Sequence, residues 1–177
     1  LAKLVEDRAL PVHMAVQYGK QILQGLVHLH SNGIAHLDLK CDNILLSERN
    51  VAMITDFGMA QNFSGVEELS RCGTPPFMSP EIFIEPYQGD KGKVDSYAFG
   101  MTFYEMLRGD LPWCELIEGG GEAWADAIAR SVMNYRRPEL DRRWSPEVVQ
   151  FLKDAWRQNW RNRKSSNELL RSIERVR

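Results

Sequence analysis

Apolar side chains near the start of the chain recur at the spacing of a helix. Between Pro11 and about His30, the apolar positions share one helical face: Met14, Tyr18, Ile22, Leu23, Leu26 and Leu29. Val16 and Val27 lie off this face, which indicates a helix that is buried on more than one side. Pro11 suits the first turn and Gly33 suits the end, so we predict a helix over residues 11–30.

Short apolar segments follow at residues 34–35, 44–46 and 51–54. Each is too short for a helix and is bounded by polar or turn residues, so each is predicted to be a strand. Residues 57–88 contain Gly, Ser and Pro with no sustained period, which predicts a long irregular segment. Irregular segments of this length inside a domain are usually functional.

The second half of the chain is predicted to be helical. Residues 93–108 are strongly apolar and end at Gly109, and further helices are expected at about 123–133, 145–159 and 165–177. Ser145 precedes a proline as an N-cap would, and Ser165 with Glu168 forms a capping-box pattern. The glycine-rich residues 118–122 are expected to form a surface loop. The predicted fold is therefore mainly α, with a few short strands that carry loops.

Composition and charge restrict the function classes. A chain of 177 residues can form one domain with its own core, and 44% apolar residues is ordinary for a globular protein. The net charge of -2 argues against nucleic-acid binding as the main role. Three widely spaced cysteines form no zinc-site pattern or disulfide framework, which favours a reducing compartment. With neither a signal peptide nor an apolar run of about 20 residues, no membrane partner is expected. The expected location is the cytoplasm, with the nucleus as the alternative.

Candidate chemistry is concentrated in one ordered set of motifs. The sequence HLDLKCDN occupies residues 36–43, DFG begins thirteen residues after Asn43, and SPE occupies residues 79–81. Chance gives such a set roughly once in ten million sequences. The set resembles the protein-kinase signature HRDLxxxN, DFG and APE. The resemblance implies that residues 1–177 are the C-terminal lobe of a eukaryotic-type protein kinase. Its parts are a catalytic loop at 36–43, an activation segment at 56–81 and a helical subdomain at 93–177.

The resemblance implies a role for each polar residue of these motifs. Phosphoryl transfer depends mainly on positioning and charge neutralisation. Asp38 matches the catalytic base that accepts the hydroxyl proton, and Lys40 matches the cation beside the transferring phosphate. Asn43 and Asp56 offer the hard oxygen ligands that suit Mg²⁺. ATP is expected to contact Lys40, Asn43, Asp56 and Leu45. Taken singly, these side chains are more often loop carboxylates, solvated cations or turn residues; their shared register favours the functional interpretation.

Other matches are architectural. His36 and Phe57 resemble the residues that stack in the core of active kinases, and each is also a good candidate for an ordinary core residue. Asp95 resembles the buried helix aspartate that holds the catalytic-loop backbone. Glu81 and Arg163 resemble an ion pair that ties the activation segment to the late helices. Both members of this pair are predicted to be stability residues.

The substrate class follows from two features of the resemblance. Lys40, two residues after Asp38, is the serine/threonine pattern. Thr74 matches the threonine that bridges the catalytic aspartate and this lysine in serine/threonine kinases, and is the expected substrate-side residue. The residue pattern HLDLKCDNILL is most similar to that of the tyrosine-kinase-like group, whose members mostly phosphorylate serine and threonine.

Leu37 departs from the family, which has arginine there. In the family, this arginine pairs with a phosphorylated activation-segment residue. A phosphate on the serine at position 64 or 70 is therefore expected to find no partner at this site. Arg71 is one candidate to replace the missing arginine. Otherwise the segment would be ordered by packing, for example of Phe63 and Leu69, or by a partner protein. The expectation is a lobe that is constitutively competent or gated by a partner.

Further departures concern Ser79, which stands for alanine, and Lys164, which stands for proline. The glycine-rich loop, strand lysine and helix glutamate of the kinase N-terminal lobe do not occur in the sequence. The chain is therefore expected to begin just after the interlobe hinge, as a lobe that transfers phosphate very slowly by itself. The first hypothesis is a serine/threonine kinase that uses ATP and Mg²⁺ on a protein substrate. The alternative is a non-catalytic, pseudokinase-like scaffold or a truncated fragment acting as a binding module. An unrelated helical interaction domain requires an accidental motif register.

Overall fold

The computed structural model of the chain describes residues 1–6, 8–64, 69, 72–84, 87, 89–119 and 123–176. The helices are α1 (Ala2–Glu6), α2 (Val12–Ser31), α3 (Lys91–Arg108), α4 (Cys114–Gly119), α5 (Trp124–Met133), α6 (Pro146–Ala155) and α7 (Ser166–Ile173). The strands are β1 (Ile34–Ala35), β2 (Ile44–Leu46), β3 (Ala52–Ile54) and β4 (Gln61–Asn62). Short 3₁₀ turns lie at Cys41–Asn43, Pro75–Phe77, Pro80–Phe83 and Trp160–Asn162. The fold is mainly helical, as predicted.

Helix α2 confirms the helix predicted from the apolar spacing. Its fully buried apolar residues are Ala15, Tyr18, Ile22, Leu23 and Leu26. Val16 and Val27 are partly buried, so the helix does pack on more than one side. Pro11 is its N-cap and not a first-turn residue. The chain leaves the helix at Gly33, whose φ of 73° is a left-handed conformation that glycine adopts without strain.

Helix α3 forms the centre of the domain. It begins two residues before the predicted start because the Asp90 side chain caps it by accepting from the Gly92 N–H at 2.9 Å. Nearly every residue of α3 is buried, since α2, α6 and α7 all pack against it. A Cβ at Gly100 would lie 2.8 Å from the Ala155 Cβ, so glycine allows α6 to approach closely. The helix ends at Gly109, with φ 80°, as predicted.

Two antiparallel strand pairs lie beside this helical core. β1 pairs with β4, and β2 pairs with β3 in the register Ile44↔Ile54 and Leu46↔Ala52. The predicted strands are confirmed, although Val51 lies outside β3. β4 was not predicted, because Gln61 and Asn62 are polar and show no alternation; their pairing depends on β1.

The last helices are shorter than predicted. α6 ends at Ala155 rather than near residue 159, because the Arg137 guanidinium donates to the Trp156 carbonyl oxygen at 2.8 Å and a 3₁₀ turn begins at Trp160. α7 ends at Ile173. The N-cap at Ser145 and the capping box of Ser165 are both present as predicted. Of the glycine-rich residues 118–122, positions 120–122 lie outside the described residues, and 118–119 end α4. No helix in the described part of the chain is long and apolar enough to span a membrane.

Candidate active site

The loop between β1 and β2 is hydrogen-bonded to the buried carboxylate of Asp95 on α3. Its oxygens accept the backbone N–H of His36 at 2.8 Å and of Leu37 at 2.7 Å. Leu37 has a φ of 66°, a strained conformation for a residue with a branched side chain. Such strain, on the order of 1–3 kcal/mol, persists only where surrounding contacts determine it. The two charge-assisted hydrogen bonds to the Asp95 carboxylate hold Leu37 in this conformation, and they fix the turn that presents Asp38.

Asp38 is the centre of a hydrogen-bonded group. The Thr74 hydroxyl donates to its Oδ1 at 2.6 Å, and the Lys40 ammonium donates to Thr74 Oγ1 at 2.7 Å. Lys40 Nζ also lies 3.3 Å from Asp38 Oδ2. The Asn43 amide nitrogen donates to the Asp38 carbonyl at 2.8 Å and to Oδ2 at 3.2 Å. These predicted site residues therefore converge, although Thr74 lies 36 positions from Asp38 in the chain.

Thr74 can approach because Gly73 precedes it. Gly73 has a φ of 96°, and a Cβ at this position would lie 2.7 Å from the Leu37 carbonyl oxygen. A side chain at residue 73 would therefore push the segment away from the loop. Glycine here allows the backbone to pass close enough for the Thr74 hydroxyl to reach Asp38.

Asp56 lies at the same end of the molecule. The residue before it, Thr55, donates its N–H to the Asn43 carbonyl at 2.9 Å and its carbonyl oxygen lies 2.9 Å from His36 Nε2. Two backbone contacts therefore connect the start of the DFG motif to the loop that carries Asp38. Asp56 itself is exposed and has a φ of 61°.

Phe57 corrects one expectation. Its ring packs edge-on against His36, with centroids 5.3 Å apart, as the resemblance implied. However, 49% of the residue is exposed, so it is not the core phenylalanine that was also considered. His36, in contrast, is fully buried.

The donor set around Asn43 and Asp56 suits a magnesium ion. Because the Asn43 amide nitrogen is directed at Asp38, its oxygen is left for a cation, and the exposed Asp56 carboxylate is a second hard ligand. The described residues contain no cluster of three or more His, Cys, Asp or Glu side chains able to hold a metal. Two protein ligands fit Mg²⁺, which keeps waters and binds substrate phosphates.

Leu45 lies on β2 beside this group and is 55% exposed. Its cross-strand partner is Met53, which is also largely exposed. Together they form an apolar surface on the strand pair that joins Asn43 to Asp56. Such a surface suits contact with a flat aromatic base.

Glu81 and Arg163 form a buried bidentate ion pair. Arg163 Nη1 lies 2.6 Å from Glu81 Oε1, and Nη2 lies 2.9 Å from Oε2. Arg163 also donates to the carbonyl oxygens of Arg157 and Lys93. The pair therefore connects the 3₁₀ turn at the end of the activation segment to the segment between α6 and α7. Lys164, in the position of the family's proline, forms an ion pair with Asp154 at 2.9 Å.

Two polar residues inside the fold, His30 and Glu105, were missed by sequence reasoning. His30, at the end of α2, lies 2.8 Å from Asp95 Oδ2 and 2.9 Å from Ser166 Oγ, so it supports the carboxylate that holds the loop. Glu105 is buried in α3, and this burial raises the pKa of its carboxyl to about 7. His30 could have been suspected from its place just before the turn; nothing local distinguishes Glu105.

Leu37 contributes no charge to the site and lies in a small apolar cluster that is separate from the main core. The cluster contains Ala35, Leu37, Leu69, Met78, Ile82, Tyr87 and Val94. Leu69 is fully buried there, while Phe63 packs against His30 with ring centroids 5.6 Å apart. Of the two apolar side chains considered for ordering the segment, Leu69 is thus packed, whereas Phe63 contacts His30 and stays 38% exposed. Ser64 is exposed and its hydroxyl bonds to Asn62; Ser70 and Arg71 lie outside the described residues.

Comparisons with known proteins agree on one family. The family model described as "Protein kinase domain" matches residues 1–173. Serine/threonine-protein kinase grp of Drosophila melanogaster is 42% identical over 115 residues, which cover 63% of this chain and 22% of that protein. Mitogen-activated protein kinase kinase kinase 17 of Arabidopsis thaliana is 34% identical over 155 residues, 88% of this chain and 41% of that protein. MAP kinase kinase kinase mkh1 of Schizosaccharomyces pombe is 36% identical over 157 residues, 85% of this chain and 14% of that protein. The matched regions thus span 14–41% of the lengths of these relatives.

Proposed function

The chain belongs to the protein kinase domain family, and from this premise we propose that it serves a serine/threonine kinase that transfers the γ-phosphoryl group of ATP to a protein hydroxyl. One observation carries the proposal: Asp38, Lys40 and Thr74 form a continuous hydrogen-bonded group at 2.6 and 2.7 Å. A protein that only binds partners has no need of this arrangement. The sequence positions of the group match those that the family uses for transfer.

In this proposal Asp38 accepts the proton of the attacking hydroxyl. Its carboxylate is held on both sides, by Thr74 at Oδ1 and by Asn43 at Oδ2, so it meets the hydroxyl without reorganisation. Lys40 places its ammonium beside Asp38, where charge on a transferring phosphoryl group is neutralised. The oxygens of Asn43 and Asp56 would hold Mg²⁺, which supplies further neutralisation of phosphate charge when bound.

The proposed substrate hydroxyl is that of serine or threonine. The Lys40–Thr74–Asp38 group supports this class, and the relatives include proteins named serine/threonine-protein kinases. Membership of the tyrosine-kinase-like group remains our proposal from the HLDLKCDNILL segment. So do the cytoplasmic location and the assignment of these residues to a C-terminal lobe.

The assay supplies the N-terminal parts that the sequence does not contain. We would join the chain to the N-terminal lobe of a related MAP kinase kinase kinase and measure Mg²⁺- and ATP-dependent phosphorylation of a generic protein substrate. The expected product is phosphoserine or phosphothreonine. Asp38→Asn is expected to reduce kcat by at least about 1000-fold, since general bases contribute roughly 10²–10⁴-fold and the charge balance also changes.

The matched control is Asp126→Asn, which removes an exposed carboxylate on α5. It is expected to leave kcat within twofold of the unmodified kinase. Activity that survives Asp38→Asn would exclude Asp38 as the base. Phosphotyrosine as the sole product would refute the substrate class, and an inactive joined protein that still binds partners would favour the scaffold hypothesis.

A further inference from the structure

Lys91 is a lysine that is almost completely buried, with 7% of the residue exposed. It is the first residue of α3, and its ammonium donates to Gln61 Oε1 at 3.0 Å and to the Asn62 carbonyl oxygen at 3.1 Å. A buried ammonium is costly unless its hydrogen bonds are satisfied. These two acceptors belong to β4, so Lys91 connects the start of the central helix to this strand.

The position of β4 affects both segments of the proposed active site. β4 pairs with β1, with Ala35 opposite Gln61, and β1 leads directly into His36. After β4, the Phe63 N–H donates to the Gly33 carbonyl oxygen at 2.7 Å. A shift of β4 would therefore move the entrance of the Asp38 loop and the part of the activation segment at Phe63 together.

Gly92, next to Lys91, makes a second contact between α3 and the same segment. A Cβ at Gly92 would lie 3.2 Å from Phe63 Cζ and 3.1 Å from His30 Nδ1, so the first turn of α3 already packs tightly on both rings. Charge from Lys91 and close packing at Gly92 thus hold adjacent parts of the segment.

We infer that Lys91 is a positioning residue for phosphoryl transfer, because its ammonium holds β4 against α3 and thereby keeps the Asp38 loop and the activation segment in register. The inference rests on the proposed kinase function of the same site. Lys91 acts through β4: the structure gives its ammonium contacts with Gln61 and Asn62, which carry no proposed chemistry. The expected consequence is ordering of this segment that does not depend on phosphorylation.

Hydrogen exchange on the 177-residue chain tests the contact without any need for activity. Lys91→Met keeps the length of the side chain and removes its charge and donors; Lys91→Arg keeps both. We expect Lys91→Met to increase exchange of the residue 61–63 amides at least tenfold, and Lys91→Arg to change it less than threefold. The control is Lys153→Met, an exposed lysine on α6, which should leave exchange unchanged.

A second variant keeps the test decisive if Lys91→Met does not fold. Gln61→Met removes one acceptor and leaves the lysine in place, and it should increase exchange of the same amides at least threefold. Unchanged exchange in the Lys91→Met chain, or in the Gln61→Met chain if only that one folds, would overturn the inference.

Kinetics of the joined kinase test the functional consequence. Lys91→Met should lower kcat at least tenfold and leave KM for ATP within twofold, with activity restored by Lys91→Arg to within threefold. Phosphatase treatment should change the activity of the unmodified kinase less than twofold. A rise in KM for ATP at constant kcat would refute the positioning role. An inactive unmodified kinase would refute the proposed function and its dependence on Lys91, while the exchange experiment would still decide whether Lys91 holds β4.

Discussion

Replacement of Arg163 tests how the end of the activation segment is held in place. The Arg163 and Glu81 side chains meet at 2.6 and 2.9 Å, with only 1% and 7% of the two residues exposed. Arg163→Met removes the cation and leaves the Glu81 carboxylate buried without its partner. Breaking a buried pair from one side costs about 3–5 kcal/mol. Because domains are stable by only about 5–15 kcal/mol, this change should remove about a fifth or more of the free energy of unfolding.

Glu81→Gln should cost less than Arg163→Met. Arg163 keeps its hydrogen bonds to the carbonyl oxygens of Arg157 and Lys93, and its guanidinium stays 5.0 Å from the Tyr97 ring centroid. The expected loss is about 1–3 kcal/mol. The double variant Glu81→Leu/Arg163→Met buries neither charge and should be more stable than Arg163→Met alone.

Urea unfolding of the 177-residue chain, followed by circular dichroism, measures these differences. The control is Arg161→Met, because Arg161 is exposed and its guanidinium carbon lies 4.4 Å from the Trp160 ring centroid; its expected effect is within about 0.5 kcal/mol. A loss below about 1 kcal/mol for Arg163→Met would contradict the argument. So would a double variant whose loss equals the sum of the Glu81→Leu and Arg163→Met losses, because contacting residues should couple.

Other predictions follow from three side chains. Ser79 is fully buried and its hydroxyl has no partner in the described part of the chain, so Ser79→Ala should raise the free energy of unfolding by about 1 kcal/mol, seen as a higher urea midpoint. Burial raises the pKa of Glu105 from 4.5 to about 7. The stability that the buried carboxyl contributes is therefore fully present below pH 4.5 and is lost as pH rises through about 7. The loss amounts to about 3 kcal/mol at most. In urea titrations between about pH 4.5 and 8, the free energy of unfolding should fall less steeply with pH for Glu105→Gln than for the unmodified chain. In the joined kinase, Thr74→Val should lower kcat at least tenfold because it removes the bridge to Asp38, whereas Thr74→Ser should keep most activity; equal losses in both would show that the hydroxyl is not the relevant group.

Helix α2 and the motif residues show how much the local sequence could predict. The 3.6-residue spacing of apolar side chains gave the position of α2 to within one residue at each end, because one face of that helix is buried along its whole length. Asp38, Lys40 and Asn43 were identified because residues 36–43 resemble a kinase signature whose members lie at short spacing. Helix caps such as Ser165 with Glu168 were predictable for the same reason, since the hydrogen bonds that form them lie within one turn.

The remaining features depend on contacts between residues that are distant in the chain. β4 is polar and exists as a strand only because β1 lies beside it, and Lys91 is buried because that strand supplies its acceptors. The exposure of Phe57 and the raised pKa of Glu105 likewise follow from what packs around each side chain. Local sequence thus predicted the positions of α2, α3 and α5, the family resemblance and the chemical groups, but not α1 or α4. Tertiary packing sets which of these groups meet and how deeply each is buried, because burial and long-range hydrogen bonds belong to the packed chain as a whole.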